Sequence, residues 1–335
     1  MKVVKIIIVI LFSIIESNNV CGQMVKFEGL LAAHLYLGSP EYNIIMKDTS
    51  FVIKLPSTET VKYSSVSLFH KENGFIAKER TLNERGVQTE TRVVKIDMMG
   101  NIIDTLYNPN LSNGEYIEDI SISPQDNYLL VVTRYKSKDN NAESVLSSPI
   151  TIRIIELKTD NVVYEKKDFY MSLNINFSSS AWSFDEKKIA YEIISRSVQI
   201  NDEPISNQNT LSKENGIYIL DIEKDIDKLF IEEGYYATWS PNSNKLAFVK
   251  DGKINIHDFS NNTTQLLYEK NKIERILEIR WFPNGKYLFV SIPKRITKTL
   301  SRPQMLYHEK LFDVNMNKEV AFEMLNLHSV GYTWR

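Results

Sequence analysis

The chain has 335 residues, with 40 Lys and Arg against 42 Asp and Glu, a formal net charge of −2 and a single cysteine. Balanced charge leaves no electrostatic footprint for nucleic acid. The lone thiol, Cys21, excludes an intrachain disulfide and a thiolate-rich metal site.

Met1–Gln23 carries Lys2 and Lys5, then an apolar run Ile6–Ile15 broken only by Ser13, then polar Glu16–Asn19. That run is too short to cross about 30 Å of hydrocarbon at about 1.5 Å per residue. The expectation is a cleaved secretory signal over residues 1–22, cut after Gly22, and an exported periplasmic or extracellular mature chain, residues 23–335, with no transmembrane span. Acylation of Cys21 is the alternative, although Asn18 and Val20 stand where a lipobox wants Leu and a small residue.

Leu30–Leu55 then aligns with Lys245–Leu267, the last three strands of a four-stranded unit that is complete at Tyr235–Glu269. In the complete unit an apolar and aromatic run ends on Trp239, a polar turn follows at Ser240–Lys245, and Asp251-Gly252 marks a tight hairpin turn. The unit recurs at Val61–Leu106, Glu115–Glu165, Ile175–Phe230 and Ile276–Phe322. Its Trp position falls at Leu68, Ile122, Trp182, Trp239, Trp281 and Trp334, and its third strand ends on Asp97, Glu156, Asp221, Asp258 and Asp313. Repeats of roughly 40 to 60 residues with four short strands predict an all-β, six-bladed β-propeller of antiparallel blades. The first strand missing from Leu30–Leu55 is supplied by Gly331–Arg335, so the C-terminal strand is expected to pair with the N-terminal ones and close the ring.

WSPNSNKLAFVKDGKINIHD, the SFDEKKIAYE and GIYILDIE segments, and FPNGKYLFVS resemble the W-S-P-D-G-K-x-[IL]-A-F…[IV]-Y-x-x-D repeat of TolB-like propellers, also found in the propeller domains of the dipeptidyl peptidase IV and prolyl oligopeptidase families. The resemblance covers essentially the whole mature chain and implies the fold. The motif's Gly survives only at Asn284-Gly285, and the first two repeats lack the Trp.

The interval between the Trp position and the acidic position is shortest at Trp239–Asp258; elsewhere it is lengthened between strands two and three, at Glu79–Arg92, Tyr135–Pro149, Ser195–Asn215 and Pro293–His308. In a propeller those connections share a face with the connections between blades, here Asn108–Glu118, Lys166–Asn174, Ile231–Tyr236 and Asn326–Tyr332. Candidate ligand-binding residues on that face are Tyr116, Tyr170, Tyr235, Tyr236 and Tyr332 for stacking, with Glu118, Glu233, Glu278, Arg280 and His328 for polar contacts.

No G-x-S-x-G or H-E-x-x-H motif occurs, and the five histidines are scattered among the repeats, His308 and His328 being the pair most worth watching for a metal. The expectation is therefore a monomeric, non-catalytic binding or scaffold propeller for a protein, peptide or glycan, without cofactor or metal. A carbohydrate-active lyase or glycoside hydrolase with its site at the channel mouth is the competing class.

Overall fold

The computed structural model describes residues 31–34, 41–46, 49–110, 114–135, 150–168, 181–193, 199–200, 203–204, 214–269, 276, 278–295, 305–321 and 332–334. The expected signal segment lies outside them. No helix among the described residues is long and apolar enough to cross a membrane.

Among the described residues, five four-stranded sheets and one three-stranded sheet follow one another along the chain, with every pairing antiparallel. The first sheet comprises β1 (Leu31–His34), β2 (Glu41–Met46) and β3 (Thr49–Lys54). The second comprises β4 (Val61–Leu68), β5 (Phe75–Leu82), β6 (Gln88–Ile96) and β7 (Ile102–Tyr107), and the third β8 (Glu115–Ile122), β9 (Tyr128–Tyr135), β10 (Ile150–Glu156) and β11 (Asn161–Asp168). The fourth holds β12 (Lys188–Ile193), β15 (Gly216–Asp221) and β16 (Ile226–Glu232), with Trp182 bridged to Ile189 where a first strand would run. Between them lies a small hairpin, β13 (Gln199–Ile200) with β14 (Glu203–Pro204). The fifth is β17 (Tyr235–Trp239), β18 (Lys245–Lys250), β19 (Lys253–Asp258) and β20 (Thr263–Glu269). The sixth is β21 (Glu278–Trp281), β22 (Tyr287–Arg295), β23 (Met305–Asp313) and β24 (Lys318–Val320).

The last strand, β25 (Tyr332–Trp334), pairs with β1 in the register Leu31↔Trp334, Ala32↔Thr333, Ala33↔Tyr332, completing the first sheet as four strands. This is the pairing that the aligned ends of the sequence predict.

The core lies between sheets rather than within any one of them. Ile53 and Leu55 meet Leu68, Phe75 and Val94; Phe69 and Ile76 meet Ile117, Ile122 and Leu129; Leu130 and Ile152 meet Trp182 and Tyr191; Ala190 and Ile217 meet Trp239 and Phe248; Val249 and Ile256 meet Trp281 and Leu288. Each two-sided strand therefore gives alternate residues to the sheet before and the sheet after, which is why the central strands read as continuous apolar runs. Burial fades at the outermost strands, where Ile103 and Val163 are about half exposed. First strands of neighbouring sheets lie against one another, β25 on β4, β4 on β8 and β17 on β21.

The turns explain two sequence regularities. The Asp residues closing third strands accept turn N–H groups: Asp97 from Met99 and Asn101, Asp258 from Ser260, Asp313 from Asn315 and Met316. In four of the turns between first and second strands, the residue four after the Trp position is left-handed: Asp126 (φ 58°), Glu186 (59°), Ser243 (59°) and Gly285 (66°). The TolB-like repeat has Gly here, and the three residues that replace it use their side chains to reach the preceding sheet. Asp126 accepts the N–H of His70 (2.7 Å) and Lys71 (2.5 Å), Glu186 accepts from Gln125 N (2.8 Å) and Asn127 Nδ2 (2.7 Å), and Ser243 Oγ accepts from Asp185 N (3.1 Å). The missing glycines are thus a row of ties between sheets.

Candidate functional site

First strands begin at the same end of the sheets as the connections between strands two and three. Three of them carry a β-bulge before the Trp position, between Ser64 and Ser67 in β4 and Tyr235 and Thr238 in β17 at the same repeat position, and between Ile117 and Asp119 in β8 slightly earlier. A bulge frees backbone groups from the ladder, and here the preceding sheet takes them up. Thr91 Oγ1 accepts the Ile117 N–H (3.0 Å) and Lys78 Nζ donates to the Glu118 carbonyl (2.5 Å); Glu192 Oε1 accepts the Ala237 N–H (2.9 Å). Ser65 (φ 49°) and Tyr236 (φ 56°) are left-handed at these bulges, a strain of order 1 kcal/mol that the surrounding contacts hold in place.

The bulges orient the sequence-predicted residues in separate groups. Tyr116 and Glu118 belong to β8 itself rather than to the connection before it. Tyr116 lies opposite Arg134 in register, and Arg134 Nε approaches Glu118 Oε2 at 3.6 Å. Burial raises the Tyr116 phenol, reinforced by Glu118 and opposed by Arg134; burial also lowers the Lys78 ammonium against the pull of Asp119 and Glu118. Tyr235 and Tyr236 meet edge to face at 5.1 Å and pack, partly buried, against the cluster of Ile254, Ile276 and Trp281. Glu233 is exposed and left-handed (φ 55°), its N–H bonded to the Asn215 carbonyl (2.9 Å). Arg280 Nε donates to Glu278 Oε1 within β21. Tyr332 is placed by its backbone pairing to Ala33, while Tyr170 and His328 lie outside the described residues.

Strand pairing runs into two of the lengthened connections. Pairing continues to Leu82↔Gln88 in the second sheet and to Arg295↔Met305 in the sixth, which takes most of Glu79–Arg92 and both ends of Pro293–His308 into strand.

At the same end, a groove of about 340 Å³ opens between β16 and the β18–β19 hairpin. Phe230 and buried Phe248 form its apolar wall, with Lys250, Lys253, Asn255 and Thr264 around it. Behind the wall, His257 packs on Phe230 (5.1 Å) and Phe259 (4.6 Å), and its Nδ1 meets Thr264 Oγ1 at 2.9 Å. Burial lowers the His257 pKa despite Asp258, keeping the ring neutral at pH 7. The groove residues escaped the sequence reading, which sought aromatics in connections. The signal was there in Phe248 and Lys250, alternate residues that share one face of a strand ending directly before an Asp-Gly turn. Among the described residues, no three His, Cys, Asp or Glu side chains gather to hold a metal ion.

No family model and no curated protein sequence matches the chain. Solved structures do. TolB from Acinetobacter baumannii superposes with a TM-score of 0.56 at 13% identity, over 92% of this chain and 67% of that one. An oligogalacturonate lyase in complex with manganese gives 0.53 at 8% identity, over 84% and 70%. A prolyl endopeptidase gives 0.51 at 14% identity, over 88% of this chain but only 42% of the peptidase. At these identities the likeness is one of fold: the chain folds as a β-propeller similar to that of TolB.

Proposed function

We propose that this chain is an exported, non-catalytic binding or scaffold module: a six-bladed ring closed by β25 on β1, which engages a protein, peptide or glycan through the end of the blades that carries the inter-blade connections. What carries the reading is the contrast between the two ends. At the short-turn end, polar side chains such as Asp126, Glu186 and Ser243 are consumed in tying blade to blade. At the opposite end stand half-buried Tyr116, Tyr235 and Tyr236, the Glu118–Arg134 and Glu278–Arg280 pairs, and the open groove. Aromatic surface with a few convergent polar groups is the usual make-up of a ligand site.

The test is capture of partners and glycans by single Tyr116→Ala, Tyr170→Ala, Tyr235→Ala and Tyr236→Ala variants, with melting temperature as the control for folding. At least one is expected to lose capture while staying folded. If all four bind as wild type and changes at Asp126, Lys187 or Asn242 abolish binding, the ligand face is the other one. Turnover of oligogalacturonate by the purified chain, motivated by the fold shared with the lyase, would overturn the non-catalytic reading. Intact mass of protein exported by its native host is expected to begin at Gln23; retention of acylated Cys21 would replace secretion by lipid anchoring.

A further inference from the structure

The hairpin beside the groove sets two like charges against each other, and Lys253 is also paired on its far side with Glu269 at 3.3 Å. Lys250 and Lys253 are register partners, directly opposite each other across the Asp251-Gly252 turn. Both turn residues are left-handed (φ 52° and 72°), so the turn is type I′ and holds the pair tightly in register. Like charges directly opposite on one face destabilise a hairpin, and an anion between them reverses the sign. The next pair on the same face is Phe248 opposite Asn255, and both line the groove. Two lysines thus line a groove whose apolar wall Phe230 completes. Asn255 Nδ2 donates to the Lys253 carbonyl (3.2 Å), which leaves the amide oxygen as an acceptor for a ligand N–H.

We propose that this groove binds the C-terminal residue of a peptide. The terminal carboxylate lies between Lys250 and Lys253, an apolar or aromatic side chain rests on Phe230 and Phe248, and the last peptide N–H meets Asn255. A volume of about 340 Å³ suits one or two residues. The carboxylates nearby select for a single negative charge. Glu232 and Asp251 are exposed at the rim, and Glu269 pairs with Lys253 at 3.3 Å, so a polyanion would meet repulsion on both sides of the lysines. The inference rests on the binding-module reading and specifies one ligand class for it.

Calorimetry with acetyl-Gly-Gly-Phe as free acid and as C-terminal amide tests it on the full mature chain. The acid is expected to bind at least tenfold more tightly than the amide, the difference a charge-assisted contact provides. Lys250→Ala and Lys253→Ala should each cost about tenfold in affinity. The double variant should melt within about 2 °C of wild type, because relief of the like-charge pair offsets loss of the exposed Lys253–Glu269 pair. Equal binding of acid and amide, no binding of either, wild-type affinity in both lysine variants, or equal competition by free galacturonate would each overturn the proposal. Peptide binding that survives both lysine changes but falls with Tyr235→Ala would sink the groove while leaving the ligand face standing; loss of that face is read separately, from partner capture by the tyrosine variants.

Discussion

Replacing Asp126 by Gly restores the residue that the repeat motif has at this turn and removes a left-handed non-Gly residue, yet it should destabilise the protein. The carboxylate accepts the His70 N–H at 2.7 Å and the Lys71 N–H at 2.5 Å, with the Glu72 N–H more distant at 3.3 Å. Bonds to a charged acceptor are worth about 1.5–3 kcal/mol each, and the lower end applies because the site is half exposed, so about 3 kcal/mol is lost. Relief of the φ of 58° returns about 1 kcal/mol, and the added freedom of Gly in the unfolded chain takes back roughly half of that or more. The net is a loss of about 2–3 kcal/mol, or a melting temperature lower by roughly 4–6 °C for a domain of this size. Ser243→Gly is the internal control: it forfeits one neutral bond of about 1 kcal/mol and gains similar relief, so its melting temperature should stay within about 2 °C of wild type. Calorimetric or circular-dichroism melts of both variants decide the matter. If Asp126→Gly melts at or above wild type, the side chain is a tolerated passenger and the reasoning about ties between blades is wrong.

Arg153 bonds Glu115 (2.5 Å), Glu165 (2.7 Å) and Tyr107 OH (3.0 Å), and Glu115 is almost fully buried, so Arg153→Ala should cost about 3–5 kcal/mol by urea titration, with much of it recovered in Arg153→Met/Glu115→Leu. Burial pushes the Glu115 carboxyl up, but bonds from Thr133, Arg153 and the Asn110 N–H outweigh it and hold the group below its ordinary range. A depressed folded pKa contributes stability that is complete above the unfolded value near 4.3 and lost as pH falls through the folded value; the urea midpoint should therefore drop between about pH 5 and pH 3, and drop less in Glu115→Gln. Deleting residues 331–335 removes β25 and leaves the β1 edge unpaired; at about 1 kcal/mol per ladder bond the melting temperature should fall by several degrees, and an unchanged curve would mean that this pairing contributes nothing.

Much of the architecture is legible in one dimension because each blade is a local unit. Strand order, the type I′ turn at Asp251-Gly252, the Trp position and the acidic strand end all sit within a few tens of residues, and repetition multiplies a weak signal. Even the distant pairing of β25 with β1 could be inferred, since a unit lacking its first strand and a first strand lacking its unit are complementary. The glycine departures could be seen but not interpreted. Asp126 and Glu186 act on residues of the preceding blade more than fifty positions earlier, and nothing local marks an acceptor whose donors come from another sheet.

The candidate site was less legible for the same reason. Tyr235 and Tyr236 were recognisable as aromatics at the start of a first strand, but that their rings pack against Ile276 and Trp281 of the next sheet depends on a bulge held by Glu192 of the sheet before. The groove depends on the distance between β16 and β18, two strands of different sheets, and on which face Lys250 and Lys253 present. Periodicity reports which residues share a face of one strand. The concavity between two sheets arises only when side chains of both are packed against each other, and that was decided in the tertiary structure.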